Sequence, residues 1–126
     1  MRYLCLIYDS EAQLEAMPKD AAEAFMGEYF AFSDEIRGSG HFVAGEALQP
    51  VATATTIRVR NGKLSATDGP FAETREQLGG FYLIEARDLN EAIAVASRIP
   101  SARIGSIEIR PIVDFEQDPT GCLPGG

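Results

Sequence analysis

The residues best suited to chemistry are two carboxylates that stand beside glycine where the chain changes direction. Asp68 precedes a Gly-Pro-Phe sequence, in which Gly permits positive φ and Pro fixes its own φ, so the turn is stiff. Glu46 follows a glycine at a predicted strand end. Carboxylates that are close together or desolvated can titrate near neutral pH, so one could act as an acid and the other as a base. The alternative for Asp68 is an Asx-turn, in which its side chain bonds its own backbone.

We expect Asp68 and Glu46 to converge at one end of a sheet and to line a pocket with the segment Phe71 to Arg75. A desolvated Asp68 would have a raised pKa, whereas a carboxylate that caps its own turn would have a lowered one. Small-molecule pockets usually occupy about 300 Å³ or more. Because a domain of this size has limited room to enclose a ligand, a partner subunit should help to close the pocket.

Several other side chains are secondary candidates. His41 is the sole histidine and has an unperturbed pKa near neutrality, but it follows Gly-Ser-Gly at a helix-to-strand connection, where an exposed polar residue is commonplace. Glu73 and Arg75 could bind a polar or anionic ligand; the alternative is a solvated face or a salt-bridge network. Strand position also makes three residues candidates for lining a pocket: Tyr8, Thr56 and Arg58.

Composition argues against several classes of function. The net charge of −8 opposes binding to a nucleic-acid backbone, which depends on Lys and Arg. Two cysteines without CxxC spacing and a single histidine provide no zinc site, although carboxylates could hold a hard cation weakly. The chain has no phosphate loop, dinucleotide fingerprint, membrane-length apolar run or signal-peptide pattern. We therefore expect a cytoplasmic protein that uses no cofactor, binds no nucleic acid directly and enters no membrane.

The pattern of the chain predicts one domain over residues 1–115 and a loosely ordered, Gly- and Pro-rich tail over residues 116–126. Its predicted order is strand, helix, strand, hairpin, strand, helix, strand. This order fits a ferredoxin-like α+β sandwich with an inserted β-hairpin. Two helices can cover one sheet face, so the other face needs a partner, and a homodimer would supply it. The strands are predicted at residues 1–8, 41–45, 54–60, 63–66, 81–84 and 106–110.

Local signals place the helices and turns. Asp20 with Glu23, and Asp88 with Glu91, have the spacing of capping boxes, and Asn61-Gly62 is a strong hairpin signal. Gly79-Gly80 is expected to break the chain before the fifth strand. The first long helix carries an apolar stripe that we interpret as core packed against a sheet rather than as a cofactor-binding wall. This stripe consists of Ala22, Phe25, Met26, Tyr29, Phe32, Ser33 and Ile36.

The Asp68-Gly69-Pro70-Phe71 sequence and the following AETREQLGGFY strongly resemble the YCII-related proteins of the DGPF type. Three further segments fit the same family in the same order, so the resemblance covers nearly the whole chain. They are Met1 to Leu4, Gly45 to Pro50 and Ile109 to Pro111. Membership implies a dimeric α/β barrel built from ferredoxin-like halves.

The resemblance also implies two alternative functions. One is a cofactor-independent isomerase or lyase, similar to members linked to the degradation of ring compounds, in which Asp68 would be the general base. Glu46 or His41 would then be its acid partner or orienting residue, and Arg75 would anchor a negative charge. A His–Asp pair has been suggested as the active centre of YCII-like proteins. The other function is a non-catalytic ligand-sensing or accessory protein associated with an extracytoplasmic-function sigma factor.

Overall fold

The computed structural model describes residues 1–117, so residues 118–126 of the predicted tail, with Cys122, lie outside it. The main elements alternate between strands and helices along the chain. The strands are β1 (Arg2–Asp9), β2 (Phe42–Ala47), β3 (Thr55–Arg60), β4 (Lys63–Asp68), β5 (Gln77–Glu85) and β6 (Ser106–Pro111). The helices are α1 (Glu11–Glu15), α2 (Lys19–Gly38) and α3 (Leu89–Ala96).

The main sheet is antiparallel, and its four strands lie in the order β2-β5-β1-β6. Strands β3 and β4 form a separate two-stranded hairpin between β2 and β5. Without the hairpin, the order of elements is the β-α-β-β-α-β of a ferredoxin-like domain. The predicted α+β class with an inserted hairpin is confirmed.

Local chemistry explains two of the boundaries. Asn61 and Gly62 both have positive φ, as a tight type I′ hairpin turn requires. The Asp88 carboxylate accepts a hydrogen bond from the Glu91 backbone N–H and caps α3, as predicted. The predicted cap at Asp20 is wrong, because α2 begins at Lys19 and Pro18 stands at the cap position, two residues earlier.

The hydrophobic core lies between the helices and one face of the main sheet. Alternate residues of β1 and β5 face it, and Phe32 and Ile36 of α2 are buried against them. The residues between them on β1 and β5 point to the other face and are half-buried: Leu4, Leu6, Tyr8, Phe81 and Leu83. This second face is the one for which the sequence predicts a partner.

The prediction that Gly79-Gly80 breaks the chain is wrong, because both glycines lie inside β5. Gly80 pairs with Ile7 on one side and with Ala47 on the other. A Cβ atom at Gly80 would lie 2.7 Å from the Glu46 carbonyl oxygen, so a side chain has no room there. The glycine therefore permits close packing of strands rather than a turn.

Candidate functional site

A pocket of about 440 Å³ lies between α2 and the ends of β1, β2 and β5. The apolar stripe of α2 divides in two: Phe32 and Ile36 are buried in the core, whereas its other members line this pocket. The interpretation of the stripe as core is therefore wrong for most of its length. In the N-terminal half of α2, Phe25 is only half-buried and Met26 is exposed. The lining residues of α2 are Ala22, Phe25, Met26, Tyr29, Phe30, Ser33 and Arg37.

Asp9 is the buried carboxylate of this pocket. It is the last residue of β1 and is 7% exposed. The Ser101 hydroxyl donates a hydrogen bond of 2.8 Å to Asp9 Oδ2, and the Tyr29 hydroxyl contacts the Ser101 oxygen in turn. Among the described residues, Asp9 Oδ1 is buried without a hydrogen-bond partner. A carboxylate that is buried and half-satisfied is costly to keep ionised, and such groups are concentrated at functional sites.

The surroundings shift the acidities of this cluster. Burial raises the pKa of Asp9, the hydrogen bond from Ser101 opposes that effect, and the negative charge of Glu76 adds to it. Burial also raises the pKa of Tyr29 to about 12. Tyr29 is thus a protonated hydrogen-bond donor at neutral pH. Asp9 is shifted towards the range in which a carboxyl group both accepts and returns protons.

A tight turn holds Ser101 against the end of β1. Ser101 lies in a 3-10 turn, Pro100–Arg103, and is fully buried. Gly105 follows this turn, and a Cβ atom there would collide with the Tyr8 carbonyl oxygen and lie 2.8 Å from Asp9 Oδ1. Only glycine lets the backbone approach the carboxylate so closely, so Gly105 sets the position of the turn relative to Asp9.

The rest of the pocket is mainly apolar, with a few polar groups along its walls. The hydroxyl groups of Ser33 and Tyr82 lie 2.6 Å apart, and the Arg37 guanidinium stacks 4.5 Å from the centre of the Phe42 ring. Glu46 also lines the pocket and is exposed to solvent. An apolar pocket with a few polar groups along its walls has the usual form of a small-molecule site.

Of the two carboxylates singled out in the sequence, only Glu46 lines this pocket. Asp68 is exposed at the end of the β3–β4 hairpin, where it pairs with Thr55. The segment from Phe71 to Arg75, which contains Glu73, is exposed and contributes nothing to the pocket wall. Within one chain, the structure therefore does not bring Asp68 and this segment together with Glu46 around the pocket.

The other candidates also lie apart from Asp9. His41 Nδ1 is 2.7 Å from Ser39 Oγ, and His41 Nε2 is 3.1 Å from Glu91 Oε1, so the ring joins a surface network at the start of α3. Thr56 donates a hydrogen bond of 2.8 Å to the Gly69 carbonyl. Two further candidates are outside the pocket wall: Tyr8, on the opposite sheet face, and Arg58, exposed on the hairpin.

Sequence reasoning missed the cluster of Asp9, Ser101 and Tyr29 as a candidate site. One signal for Asp9 was present: it continues the alternation of Tyr3, Cys5 and Ile7, so a carboxylate occupies the next inward position of a buried strand. No comparable signal marked Ser101, which is 92 residues away in sequence.

Two features bear on ligands and environment. Within residues 1–117, no three side chains of His, Cys, Asp or Glu lie close enough together to hold a metal ion. None of the helices in that range is long and apolar enough to cross a membrane.

Comparison with known proteins supports this architecture. The model of the YCII-related domain matches residues 1–116. An uncharacterized protein from Rhizobium meliloti (strain 1021) is 37% identical over 118 residues, which cover 92% of this chain and 95% of the relative. A solved structure shares the fold with a TM-score of 0.54 and 12% identity, covering 93% of this chain and 98% of its own. It is the 5-chloro-2-hydroxyhydroquinone dehydrochlorinase of Burkholderia phenoliruptrix AC1100 in complex with 2,5-dihydroxybenzoquinone. The chain therefore belongs to the YCII-related family.

Proposed function

We propose that the protein binds a small cyclic compound in the α2 pocket and catalyses a cofactor-independent proton transfer, in an isomerisation or an elimination. The observation that carries this proposal is the buried Asp9 carboxyl group, which lines the pocket and has a raised pKa. The hydroxyl groups of Ser101 and Tyr29 form a hydrogen-bonded chain that ends on this carboxyl group. In this proposal Asp9, rather than Asp68, is the general acid–base.

Asp9 and Tyr29 would have different roles in the reaction. Ionised Asp9 would take a proton from a ring carbon or ring hydroxyl of the bound compound. In an isomerisation, Asp9 would return that proton at another atom. In an elimination, the electron pair left behind would form a new double bond while the leaving group departs with the electrons of its own bond. Tyr29, whose pKa burial raises to about 12, would donate its hydrogen bond to Ser101, which in turn donates to Asp9 and stabilises the ionised carboxylate.

The fold relative lends chemical plausibility to the elimination. Its name describes a dehydrochlorinase, and its structure holds a dihydroxylated quinone ring. A pocket of about 440 Å³ has room for a single ring with substituents. We therefore take hydroxylated six-membered rings as the first compounds to examine.

A solvent-exchange assay on two model compounds tests the proposal. Benzene-1,2,4-triol and 5-chloro-2-hydroxyhydroquinone would be incubated with the protein in D₂O, with NMR following deuterium entry at ring carbons and an electrode following chloride release. We expect wild-type protein to accelerate at least one process and Asp9→Asn to slow it about 100-fold or more. Asp68→Asn is the matched control and should retain the wild-type rate. Full activity in Asp9→Asn would contradict the role proposed for Asp9. Loss of activity confined to Asp68→Asn would favour Asp68 as the general base.

We further propose a homodimer that covers the open sheet face. Leu6 and Phe81 pair across β1 and β5 on that face and are only half-buried within one chain. The β3–β4 hairpin also exposes apolar side chains, including Ile57 and Leu64, and an isolated two-stranded hairpin has little stability in water. Sedimentation equilibrium at micromolar concentration should give twice the chain mass, and Leu6→Glu should shift the mass to that of one chain. A monodisperse wild-type monomer would exclude the dimer.

The alternative role beside an extracytoplasmic-function sigma factor stays a prediction. It shares the small-molecule pocket with the enzyme proposal and differs in the absence of turnover. Ligand binding without deuterium exchange or chloride release in the assay above would favour this role.

A further inference from the structure

Arg37 stands at the end of the pocket that is remote from Asp9. It lies in the last turn of α2, and its guanidinium packs over the Phe42 ring. Among the described residues that line the pocket, it is the one cation. Its ion pair with Asp34 is long, at 3.6 Å, and 81% of the Asp34 side chain is exposed. Such a pair is weak, so the charge of Arg37 remains available to a ligand.

The guanidinium carbon of Arg37 lies over the Phe42 ring, 4.5 Å from its centre, and this cation–π contact keeps the side chain at the pocket. A guanidinium presents parallel N–H donors that match the two oxygens of a carboxylate. The chain as a whole carries a net charge of −8, which repels anions in general. An anionic group would therefore be drawn into this pocket by a local contact with Arg37 rather than by the overall field.

The spacing along α2 limits the shape of the ligand. Tyr29, which marks the Asp9 end, and Arg37 are eight residues apart, so their Cα atoms are separated by about 12 Å along the helix axis. Both side chains lean towards the helix N-terminus, so this spacing also approximates the distance between them. A single six-membered ring at Asp9 does not fill that length, whereas a ring with a short side chain does. The hydroxyl pair of Ser33 and Tyr82 lies between the two ends.

We propose that Arg37 binds the carboxylate of an acid whose ring lies beside Asp9. In this acid the ring carries a side chain of about three carbons, the last of which is the carboxylate carbon. This inference rests on the proposed function, because that proposal places the reacting ring at Asp9. Arg37 is then a residue that determines specificity, in the role that the sequence suggested for Arg75.

Two probes of nearly the same shape separate charge from fit: 4-hydroxycinnamate and the neutral 4-hydroxycinnamamide. Both would be titrated into ¹⁵N-labelled full-length protein and followed by NMR, with Kd values taken from the shifts of pocket amides. We expect wild-type protein to bind the acid about tenfold or more tightly than the amide, because a charge-assisted contact is lost with the amide. Arg37→Met keeps the apolar packing on Phe42 and should bring the ratio of the two Kd values close to one.

Arg98→Met is the matched control, because Arg98 is a surface arginine paired with Glu35 outside the pocket. This variant should retain the wild-type ratio. Arg37→Lys keeps the positive charge and should give an intermediate ratio of the two Kd values. It therefore provides a second test if the methionine variant misfolds. Equal binding of acid and amide to the wild type, with shifts at pocket amides, overturns the inference and leaves the proposed pocket intact. A preference for the acid that survives in Arg37→Met also overturns it. No binding of either probe overturns the inference, and the exchange assay with benzene-1,2,4-triol then decides the proposed function on its own.

Discussion

Replacing Asp9 by Asn should make the folded protein more stable at neutral pH. Burial raises the pKa of Asp9 above its ordinary value of 3.8, so the folded chain binds the proton more tightly than the unfolded chain does. As pH rises from 3.8 through the raised pKa, the unfolded state gives up its proton first, and the free energy of unfolding falls. At neutral pH the folded state bears the full cost of a buried negative charge. Asparagine has nearly the same shape and no charge.

The magnitude follows from the contacts of the carboxylate. One oxygen keeps the hydrogen bond from Ser101, which the asparagine carbonyl can also accept. The other oxygen is buried without a partner among the described residues, and such a group costs about 1–3 kcal/mol. The asparagine NH2 group would replace that oxygen, so the substitution removes only the part of the cost that is due to the charge, and we expect Asp9→Asn to raise the free energy of unfolding by about 1 kcal/mol at pH 7. For a chain of 126 residues, this corresponds to a rise of about 4 °C in Tm.

Urea unfolding followed by circular dichroism, at fixed protein concentration and at several pH values between about 3 and 8, measures the difference. The gain over wild type should shrink as pH falls towards 3.8 and disappear below it, because wild-type Asp9 is then protonated in both states. Asp68→Asn, at an exposed position, should change stability by less than about 0.5 kcal/mol. Destabilisation of Asp9→Asn at pH 7, or a stability difference from wild type that is the same at every pH, would contradict the prediction.

Three further substitutions probe neighbouring features. Tyr29→Phe removes the outer hydroxyl of the chain behind Asp9 and should slow the exchange reaction about tenfold or more while lowering stability by about 1 kcal/mol, as read from rates and urea unfolding. Gly105→Ala should cost about 1–3 kcal/mol in urea unfolding, because the new methyl group meets the Tyr8 carbonyl. The pKa of Glu91 is lowered, first by the hydrogen bond from the Arg87 N–H, so its stabilising effect is present above pH 4.5 and lost as pH falls through the lowered pKa. In Glu91→Gln, the free energy of unfolding measured with urea should fall less steeply than in wild type as pH decreases below 4.5.

The features that local chemistry controls were predictable from the sequence. The hairpin turn needs two residues that tolerate positive φ, and Asn61-Gly62 supplies them in sequence. The cap of α3 depends on a residue three positions away from Asp88. In both cases, the partners lie within the window that sequence reasoning covers.

The features that local sequence did not predict depend on distant parts of the chain. The Gly79-Gly80 pair has a composition typical of a chain break. Gly80 is instead required inside β5, because the Glu46 carbonyl of the neighbouring strand leaves no room for a side chain. Asp9 has the appearance of a strand end, and its chemistry comes from Ser101, near the other end of the sequence. Asp68 has an unusual local sequence, and the structure leaves its side chain exposed. A distinctive turn sequence thus proved easier to detect than a buried acid.

The strand order has a consequence for synthesis on the ribosome. In the order β2-β5-β1-β6, both β1 and β2 pair only with strands that are translated later. Until β5 emerges at Gln77, the nascent chain contains no pair of adjacent strands of the main sheet, and only the β3–β4 hairpin can close. Such long-range pairing slows folding and leaves apolar strands with bare edges in the meantime. We therefore expect chains arrested before residue 77 to aggregate or to recruit chaperones, and the Asp9–Ser101 contact to be among the last to form.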